Sequence, residues 1–269
     1  MWNLAPALLC VVLTGPWGQE PAPAPAPAPT GTAAAPEPAP VRVEKPPTPA
    51  HTGVRAIFRA LKDDITHLPS TQNLWTAGLG GGLALALSPF DERVSASMAN
   101  EGAAINNAFA PAKYYGGTAE QVALSLGTWG LGRLTHKPKL SHLGMDLLRA
   151  QALSEILVEP IKLVTHRERP DGSNHRSFPS GHASVTFADA TVLQKHLGWK
   201  RSLWAYAIAS YVAASRVHDG RHYVSDVVFG AALGTIAGRT VTQHGRNTWV
   251  LNPAVVPGGV VVNLTHAPF

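Results

Sequence analysis

The sequence predicts an all-α fold, a bundle of six helices, followed by a small β-hairpin at the C-terminus. Through residues 51–245, apolar side chains recur at spacings of three and four, the period of helices that bury one face. Glycine is frequent inside these segments, which indicates close approach between helices. In residues 246–269 the pattern changes to short valine-rich runs around Pro257-Gly258-Gly259, which is typical of a hairpin.

Residues 1–19 have the composition of a secretory signal peptide. Leu4–Leu13 form an apolar run of suitable length, and small residues follow at Gly15 and Gly18. A short membrane anchor is the alternative. The single cysteine, Cys10, excludes an intrachain disulfide. We therefore expect an exported protein of the periplasm or cell envelope, with an integral membrane protein as the alternative.

Residues 20–50 consist mainly of proline and alanine. Such a stretch lacks the side chains of a core and favours extended polyproline II, so we interpret it as a disordered linker. A helical period begins at Val54 and continues to Ile65, which predicts a helix packed on the domain. The acidic pair Asp63-Asp64 disfavours the alternative of a helix lying on a membrane.

The predicted bundle itself comprises six further segments. They are Leu74–Leu87, Gly117–Leu134, Leu143–Thr165, His182–His196, Ser202–Ser215 and Val224–Thr242. The stretch from Pro89 to Tyr115 is long and polar, with room for a short helix, and is interpreted as a connection or as a lid over a site.

Charge and hydropathy limit the partners. The chain has 22 basic and 17 acidic residues without a basic run, which favours anionic substrates or contact with a membrane surface and excludes nucleic acid. The charge-free runs are 12 to 14 residues long, shorter than the ~20 needed to span a bilayer. Charged residues such as Arg149, Glu155 and Asp189 interrupt the apolar segments, and mean hydropathy is +0.02. We therefore expect a soluble exported bundle, with a transmembrane bundle as the alternative.

Three cations and a glycine turn in residues 162–226 suit the binding of a phosphate-like oxyanion. Lys162 and Arg169 are seven residues apart, two helical turns, and Pro170 predicts that the helix ends near Arg169. Arg216 offers a second guanidinium fork. Each of these alone would be read as a surface cation.

The turn Pro179-Ser180-Gly181-His182 precedes a helical pattern. Backbone amides at a helix N-terminus, together with a hydroxyl, form an anion-binding nest. Ser180 is either a phosphate donor or a plain N-cap, and His182 is either turned toward the anion or a structural histidine.

His222 and Asp226 have the i,i+4 spacing that places two side chains on one face of a helix. A carboxylate beside an imidazole fixes its tautomer, and the free nitrogen can then attack phosphorus. His182 is available to protonate the leaving alkoxide. The alternative is an ordinary contact on a helix surface.

These clusters resemble, in order, the three signature motifs of the type 2 phosphatidic acid phosphatase superfamily, which also contains bacterial acid phosphatases and vanadium haloperoxidases. The matching residues are Lys162 with Arg169-Pro170, then Pro179 to His182, then Ser215-Arg216 with His222 and Asp226. The resemblance covers roughly residues 70 to 245 and implies the helical bundle of that superfamily.

The resemblance also implies roles. His222 is the expected nucleophile, Asp226 its orienting partner and His182 the general acid. The expected phosphate ligands are Lys162, Arg169, Ser180, Gly181 and Arg216. Together they imply a phosphatase that needs no metal or cofactor and acts on phosphate monoesters or diphosphates through a phosphohistidine. Lipid phosphates such as phosphatidate or undecaprenyl diphosphate are the expected substrates; the sequence leaves the oligomeric state open.

Three other functions compete with this hypothesis. They are a non-specific periplasmic acid phosphatase on soluble phosphoesters, a haloperoxidase with vanadate bound at His222, and a non-enzymatic envelope protein with a relic site. His166, His175 and His218 raise the idea of a zinc site, but their spacings match no metal motif, and they are interpreted as loop residues or substrate contacts.

Overall fold

The computed structural model describes residues 45–99, 103–243, 248–256 and 259–267, the last two ranges by their backbone only. Ten α-helices lie within these residues, and a short 3-10 helix, Ser88–Phe90, follows α2. The helices are α1 Val54–His67, α2 Thr71–Leu87, α3 Asp91–Ala99, α4 Ala103–Phe109, α5 Ala112–Tyr115, α6 Thr118–Leu134, α7 Pro138–Thr165, α8 Gly181–Leu197, α9 Trp199–His218 and α10 Val224–Gln243.

The six predicted bundle helices correspond to α2 and to α6 through α10, and the helix predicted from Val54 is α1. The count of six is wrong for the whole domain, because the stretch between α2 and α6 contains three more helices, α3 to α5. These helices have only nine, seven and four residues, too few to show an apolar period in the sequence.

The helical unit extends over Val43–His244, and α7, α8 and α10 form its centre. Leu153 and Val192 are among the fully buried side chains that join these three helices. Helices α8 and α10 pack backbone to backbone, since a Cβ on Gly234 would lie 2.0 Å from the Ser184 carbonyl oxygen. This close contact holds the first turn of α10 beside the turn that precedes α8.

Strands β1 (Thr248–Val256) and β2 (Gly259–Ala267) pair antiparallel, with Thr248 opposite Ala267. They belong to the segment for which the sequence predicts a hairpin. The centre of its Pro-Gly-Gly turn, the predicted signal peptide and most of the predicted linker lie outside the described residues.

Candidate active site

The first turn of α8 forms the floor of the site. Ser180 is the N-cap of this helix: its Oγ accepts a hydrogen bond of 3.4 Å from the Ala183 amide. The Ser180 amide donates to the backbone carbonyl of Asp226 at 3.0 Å, which ties the turn to α10. The plain N-cap role is therefore present, and the helix N-terminus is positioned to favour an anion.

Lys162 lies directly over this turn, in the last turn of α7. A Cβ on Gly181 would come within 3.2 Å of the Lys162 Nζ, so the amine lies close to the glycine backbone. The Nζ is paired with Glu159 at 3.1 Å. Lys162 and Gly181, both expected phosphate ligands, are thus brought together.

Arg169 reaches the site from a loop and not from a helix. Helix α7 ends at Thr165, four residues earlier than Pro170 predicted, and His166 takes the left-handed conformation with φ of 45°. Burial, then the positive charge of Arg221, lowers the pKa of Arg169. Its Nε is buried without a hydrogen-bond partner among the described residues. A buried guanidinium N–H without an acceptor fits an oxyanion ligand.

Arg216 closes the opposite side of the site at the end of α9. It is only 7% exposed, and its Nη2 is held 2.7 Å from the Asp219 carboxylate. Two cations that the motifs do not include lie near Arg169, because their charges act on its pKa. They are Arg221, paired with Asp171 at 3.1 Å, and Arg176, paired with Glu159.

His222 precedes α10 in a loop, so the prediction that it shares a helix face with Asp226 is wrong. The loop folds back on α9, and the His222 amide donates to the Arg216 carbonyl at 3.1 Å. The ring Nδ1 lies 2.6 Å from the carbonyl oxygen of Ser177 and 3.6 Å from the nearer Asp226 oxygen. A carbonyl can only accept, so Nδ1 carries the hydrogen and Nε2 is left with its lone pair.

Asp226 is a second partner of the His222 imidazole. A network of hydrogen bonds holds its carboxylate, and the spacing of residues in the sequence did not reveal this network. Its carboxylate accepts hydrogen bonds from Ser177 Oγ at 2.5 Å, Arg167 Nη1 at 2.7 Å and the Tyr223 amide at 2.8 Å. These donors, together with the paired His222, hold the pKa of the carboxyl below its usual range against the effect of burial. Asp226 therefore stays ionised.

Arg167 links this carboxylate to α3. Its Nη2 pairs with Asp91 at 2.8 Å, and its guanidinium carbon lies 4.1 Å from the centroid of the Tyr223 ring. Asp91 also accepts from the Ser225 amide at 3.0 Å. The polar stretch after Pro89 thus supports the site through Asp91. No motif spacing could have shown this contact, because Asp91 is 76 residues away from Arg167.

His182 is the second residue of α8 and is surrounded by cations. Burial, and then the charges of Arg216, His222, Lys162 and Arg169, lower its pKa to about 4. The ring is therefore neutral near pH 7 without an anion. A phosphate dianion among the same cations would reverse this effect and raise the pKa of His182 toward the range of a general acid.

The three histidines that suggested a zinc site do not gather into one. The rings of His166 and His175 stack on each other with centroids 5.0 Å apart, whereas His218 packs on Phe109 and faces Asp219. In the described part of the chain, the group that could share an ion is a different one, discussed below.

Comparisons with known proteins show which family and which fold the chain resembles. Residues 143–249 match the model of a family described as the PAP2 superfamily. A crystal structure of the first transmembrane PAP2 type phosphatidylglycerolphosphate phosphatase from Bacillus subtilis aligns with a TM-score of 0.54 at 25% identity. That alignment covers 63% of this chain and 93% of the other.

Several curated phosphatases match a part of the chain. A lipid A 1-phosphatase of Porphyromonas gingivalis is 43% identical over 76 residues, 27% of this chain and 17% of that protein. A decaprenylphosphoryl-5-phosphoribose phosphatase of Mycobacterium tuberculosis is 34% identical over 94 residues, 32% of this chain and 51% of that protein. The chain thus spans between about a sixth and about half of these relatives.

Proposed function

We propose that this chain, which belongs to the type 2 phosphatidic acid phosphatase superfamily, hydrolyses lipid phosphate monoesters or diphosphates through a phosphohistidine, without a metal. The observation that carries the proposal is the buried Arg169 Nε without a partner, beside two neutral histidines and a ring of further cations. Phosphoryl transfer requires fixed cations around the three equatorial oxygens of the transferred phosphoryl group.

In the first step, His222 Nε2 attacks phosphorus and the bond from phosphorus to the leaving oxygen breaks. His182 donates its proton to that oxygen, so that a neutral alcohol leaves. The Ser177 carbonyl keeps the proton on His222 Nδ1, and Asp226 stabilises the positive charge that the ring acquires. Lys162, Arg169, Arg216 and the α8 amides neutralise the phosphoryl oxygens.

In the second step, water replaces the leaving group. His182, now neutral, takes a proton from the water as its oxygen attacks phosphorus, and the bond from phosphorus to His222 breaks. Inorganic phosphate departs, and both histidines return to their starting protonation states. The step requires only groups that this site already holds.

The outer surface of the bundle supports a lipid as the carrier of the phosphate. Large apolar side chains on three helices are between 41% and 80% exposed, far more than a surface facing water normally presents. They are Leu74, Trp75, Leu79, Leu83 and Leu85 on α2, Leu124, Leu126, Leu131 and Leu134 on α6, and Trp199, Leu203, Trp204 and Ile208 on α9.

This surface argues against the soluble bundle predicted from short charge-free runs. Two of the charged residues that interrupt the apolar segments lie inside the bundle. Arg149 is 3% exposed and paired with Asp64, and the carboxylate of Asp189 contacts Gln151 at 3.0 Å. Among the described helices, one is long and apolar enough to cross a membrane. It covers Val224–Thr242, and 61% of this span is buried in the bundle. We place the bundle in a membrane because of its exposed side chains.

The site is formed by the loops 166–180 and 219–223 and by the adjoining helix ends, at one end of the bundle. Both ends carry exposed basic residues: Lys137, Lys139, Lys200 and Arg201 at the far end, and Arg176 and Arg221 at the site. The positive-inside rule therefore favours neither orientation.

A groove between α6, α8 and α9 offers a place for the lipid chain. Its volume is about 320 Å³, and its apolar lining includes Leu124, Leu193 and Ile208. Tyr115 also lines it, and the next residue, Gly116, approaches His182, whose Cδ2 lies 3.3 Å from the position of a Gly116 Cβ. The groove therefore begins beside the general acid and runs along the apolar surface.

A substrate panel on purified protein tests the proposal. Long-chain phosphatidate, a short-chain analogue and nitrophenyl phosphate should all release phosphate in chelator-containing buffer, and His222→Ala should release none. Thr128→Phe narrows the groove, whereas the control Leu126→Phe lies outside its lining. We expect the first variant alone to lower kcat/KM for the long-chain lipid by about tenfold. Halide oxidation by peroxide with added vanadate, without phosphatase turnover, would favour the haloperoxidase alternative.

A further inference from the structure

Two histidines and an aspartate meet at the end of the bundle opposite the active site. His142 and Asp146 are one turn apart on α7, and His196 is in the last turn of α8. Asp146 is completely buried and His142 is 5% exposed. His196 lies 14 residues after His182, about 21 Å along the helix, so this cluster is separate from the catalytic machinery.

The donor atoms of the three side chains converge. Nε2 of His142 and Nε2 of His196 lie 3.1 and 2.8 Å from the same oxygen, Oδ2 of Asp146. One ligand atom from each residue lies within 4.8 Å of the others. With metal–ligand bonds of about 2.0 Å, neighbouring donors of a tetrahedral zinc ion are about 3.3 Å apart. The two nitrogen–oxygen separations are within a few tenths of an ångström of that value.

The carboxylate is oriented for this role by a second contact. Arg149 Nη2 donates to the other oxygen, Oδ1 of Asp146, at 2.6 Å, which directs Oδ2 toward the histidines. Arg149 is shared with Asp64 at 3.1 Å, so its charge is divided between two buried carboxylates. An outer contact that fixes a metal-binding carboxylate is a regular feature of metal sites.

The cluster is also accessible. A cavity of about 340 Å³ is lined by both histidines and by Lys45, Thr48 and Lys139 from the adjoining segments. It provides an entry path and room for a water molecule as fourth ligand.

From this geometry we propose that His142, Asp146 and His196 bind a divalent transition metal, with zinc as the best match to two imidazole nitrogens and one carboxylate oxygen. The metal ties α7 to α8 at the end of the bundle that the phosphatase reaction does not use. The fourth position carries water. The proposal is independent of the catalytic mechanism.

Metal analysis of untagged full-length protein in detergent tests this site. After incubation with zinc and gel filtration, we expect about one equivalent per chain. His142→Gln and His196→Gln should each reduce it to below about a tenth, whereas His51→Gln, an exposed histidine outside the cluster, should leave it unchanged. Cobalt in place of zinc should give the intense visible absorption of a tetrahedral site.

Thermal unfolding gives a second readout, and its main comparison uses the wild-type protein alone. Zinc should raise the unfolding midpoint of the wild-type protein by about 5–10 °C relative to chelator, and the rise should be absent in His196→Gln. Phosphatase turnover by that variant shows that it is folded. Wild-type protein without bound zinc and without a shift would overturn the proposal and identify the cluster as a hydrogen-bonded triad. Zinc retained by the His142→Gln/His196→Gln double variant would also overturn it.

Discussion

The two ends of the helical bundle use the same side chains in opposite electrostatic surroundings. At the catalytic end, His182 and His222 are accompanied by Lys162, Arg169 and Arg216, and burial, then these cations, lower the pKa of His182. At the opposite end, His142 and His196 share one buried carboxylate, Asp146.

This difference decides what each end can bind. Histidines among cations are kept neutral and leave a hole for an anion, so they suit phosphoryl transfer. Histidines on a shared carboxylate oxygen direct their nitrogen atoms to one point, which suits a cation. At the catalytic end the carboxylate of Asp226 lies on the Nδ1 side of His222, and cations surround His182, whereas at the opposite end both Nε2 atoms meet one carboxylate oxygen. The residue type alone therefore does not indicate the ligand.

The strongest test of the comparison removes one histidine from each end. His222→Ala should lower turnover of a phosphate ester at least about a thousandfold, because the nucleophile is lost. His196→Gln should change it by less than about twofold, since the two sites are distant. Phosphate release measures the turnover of both variants. Labelling of the protein with radioactive phosphate, acid-labile and base-stable, measures the phosphohistidine. Substantial labelling of His222→Ala would remove His222 from the mechanism.

A smaller effect is expected from the network behind Asp226. Arg167→Met removes the contacts to Asp226 and Asp91 but no group that touches the phosphoryl oxygens. We expect kcat to fall about 10- to 100-fold with KM nearly unchanged, because the imidazole and its carboxylate lose their fixed geometry. Steady-state kinetics provide the measurement, with exposed Arg93→Met on α3 as the control. A change confined to KM would show that Arg167 binds substrate instead.

Acid should destabilise the catalytic end. The folded pKa of His182 is about 4, below the ordinary 6.5, so the unfolded chain takes up the proton first as the pH falls. Stability is complete above pH 6.5 and is lost by up to about 3 kcal/mol on acidification to pH 4. Unfolding midpoints across this range should fall less in His182→Gln, although the lowered pKa of His222 still contributes.

Inorganic phosphate sharpens the same measurement. Because a bound phosphate anion raises the pKa of His182, phosphate should reduce the acid-induced fall in the wild-type midpoint. An equal fall with and without phosphate would mean that the anion does not reach the ring.

The smallest effect concerns the partner of Lys162. Glu159 holds the Lys162 Nζ at 3.1 Å and also pairs with Arg176. Glu159→Gln should release both cations toward the anion and tighten inhibition by inorganic phosphate about two- to fivefold. Inhibition constants measure this, with Glu168→Gln in the neighbouring loop as the control. Weaker inhibition would show that Glu159 positions Lys162 instead of competing for it.

Local features of the sequence predicted most helices of the bundle and the turn that precedes α8. Helices α6 to α10 begin and end within about five residues of the predicted bounds, because apolar period and helix caps act over a few turns. Ser180 caps α8 and Gly181 begins it, and Lys162 Nζ lies beside Gly181, since the turn and the end of α7 place them there.

Long-range packing decided the rest. The partner of His222 is the Ser177 carbonyl, Asp91 supports the site from α3, and His196 reaches Asp146 across 50 residues of sequence. Packing also turned Arg149 and Asp189 inward, which left an apolar exterior on a chain of modest hydropathy. Spacing along the chain reports which residues share a helix face, whereas contacts between helices and loops depend on how the elements pack. For this reason the candidate phosphate site could be predicted from the sequence, and the apolar exterior and the second histidine cluster could not.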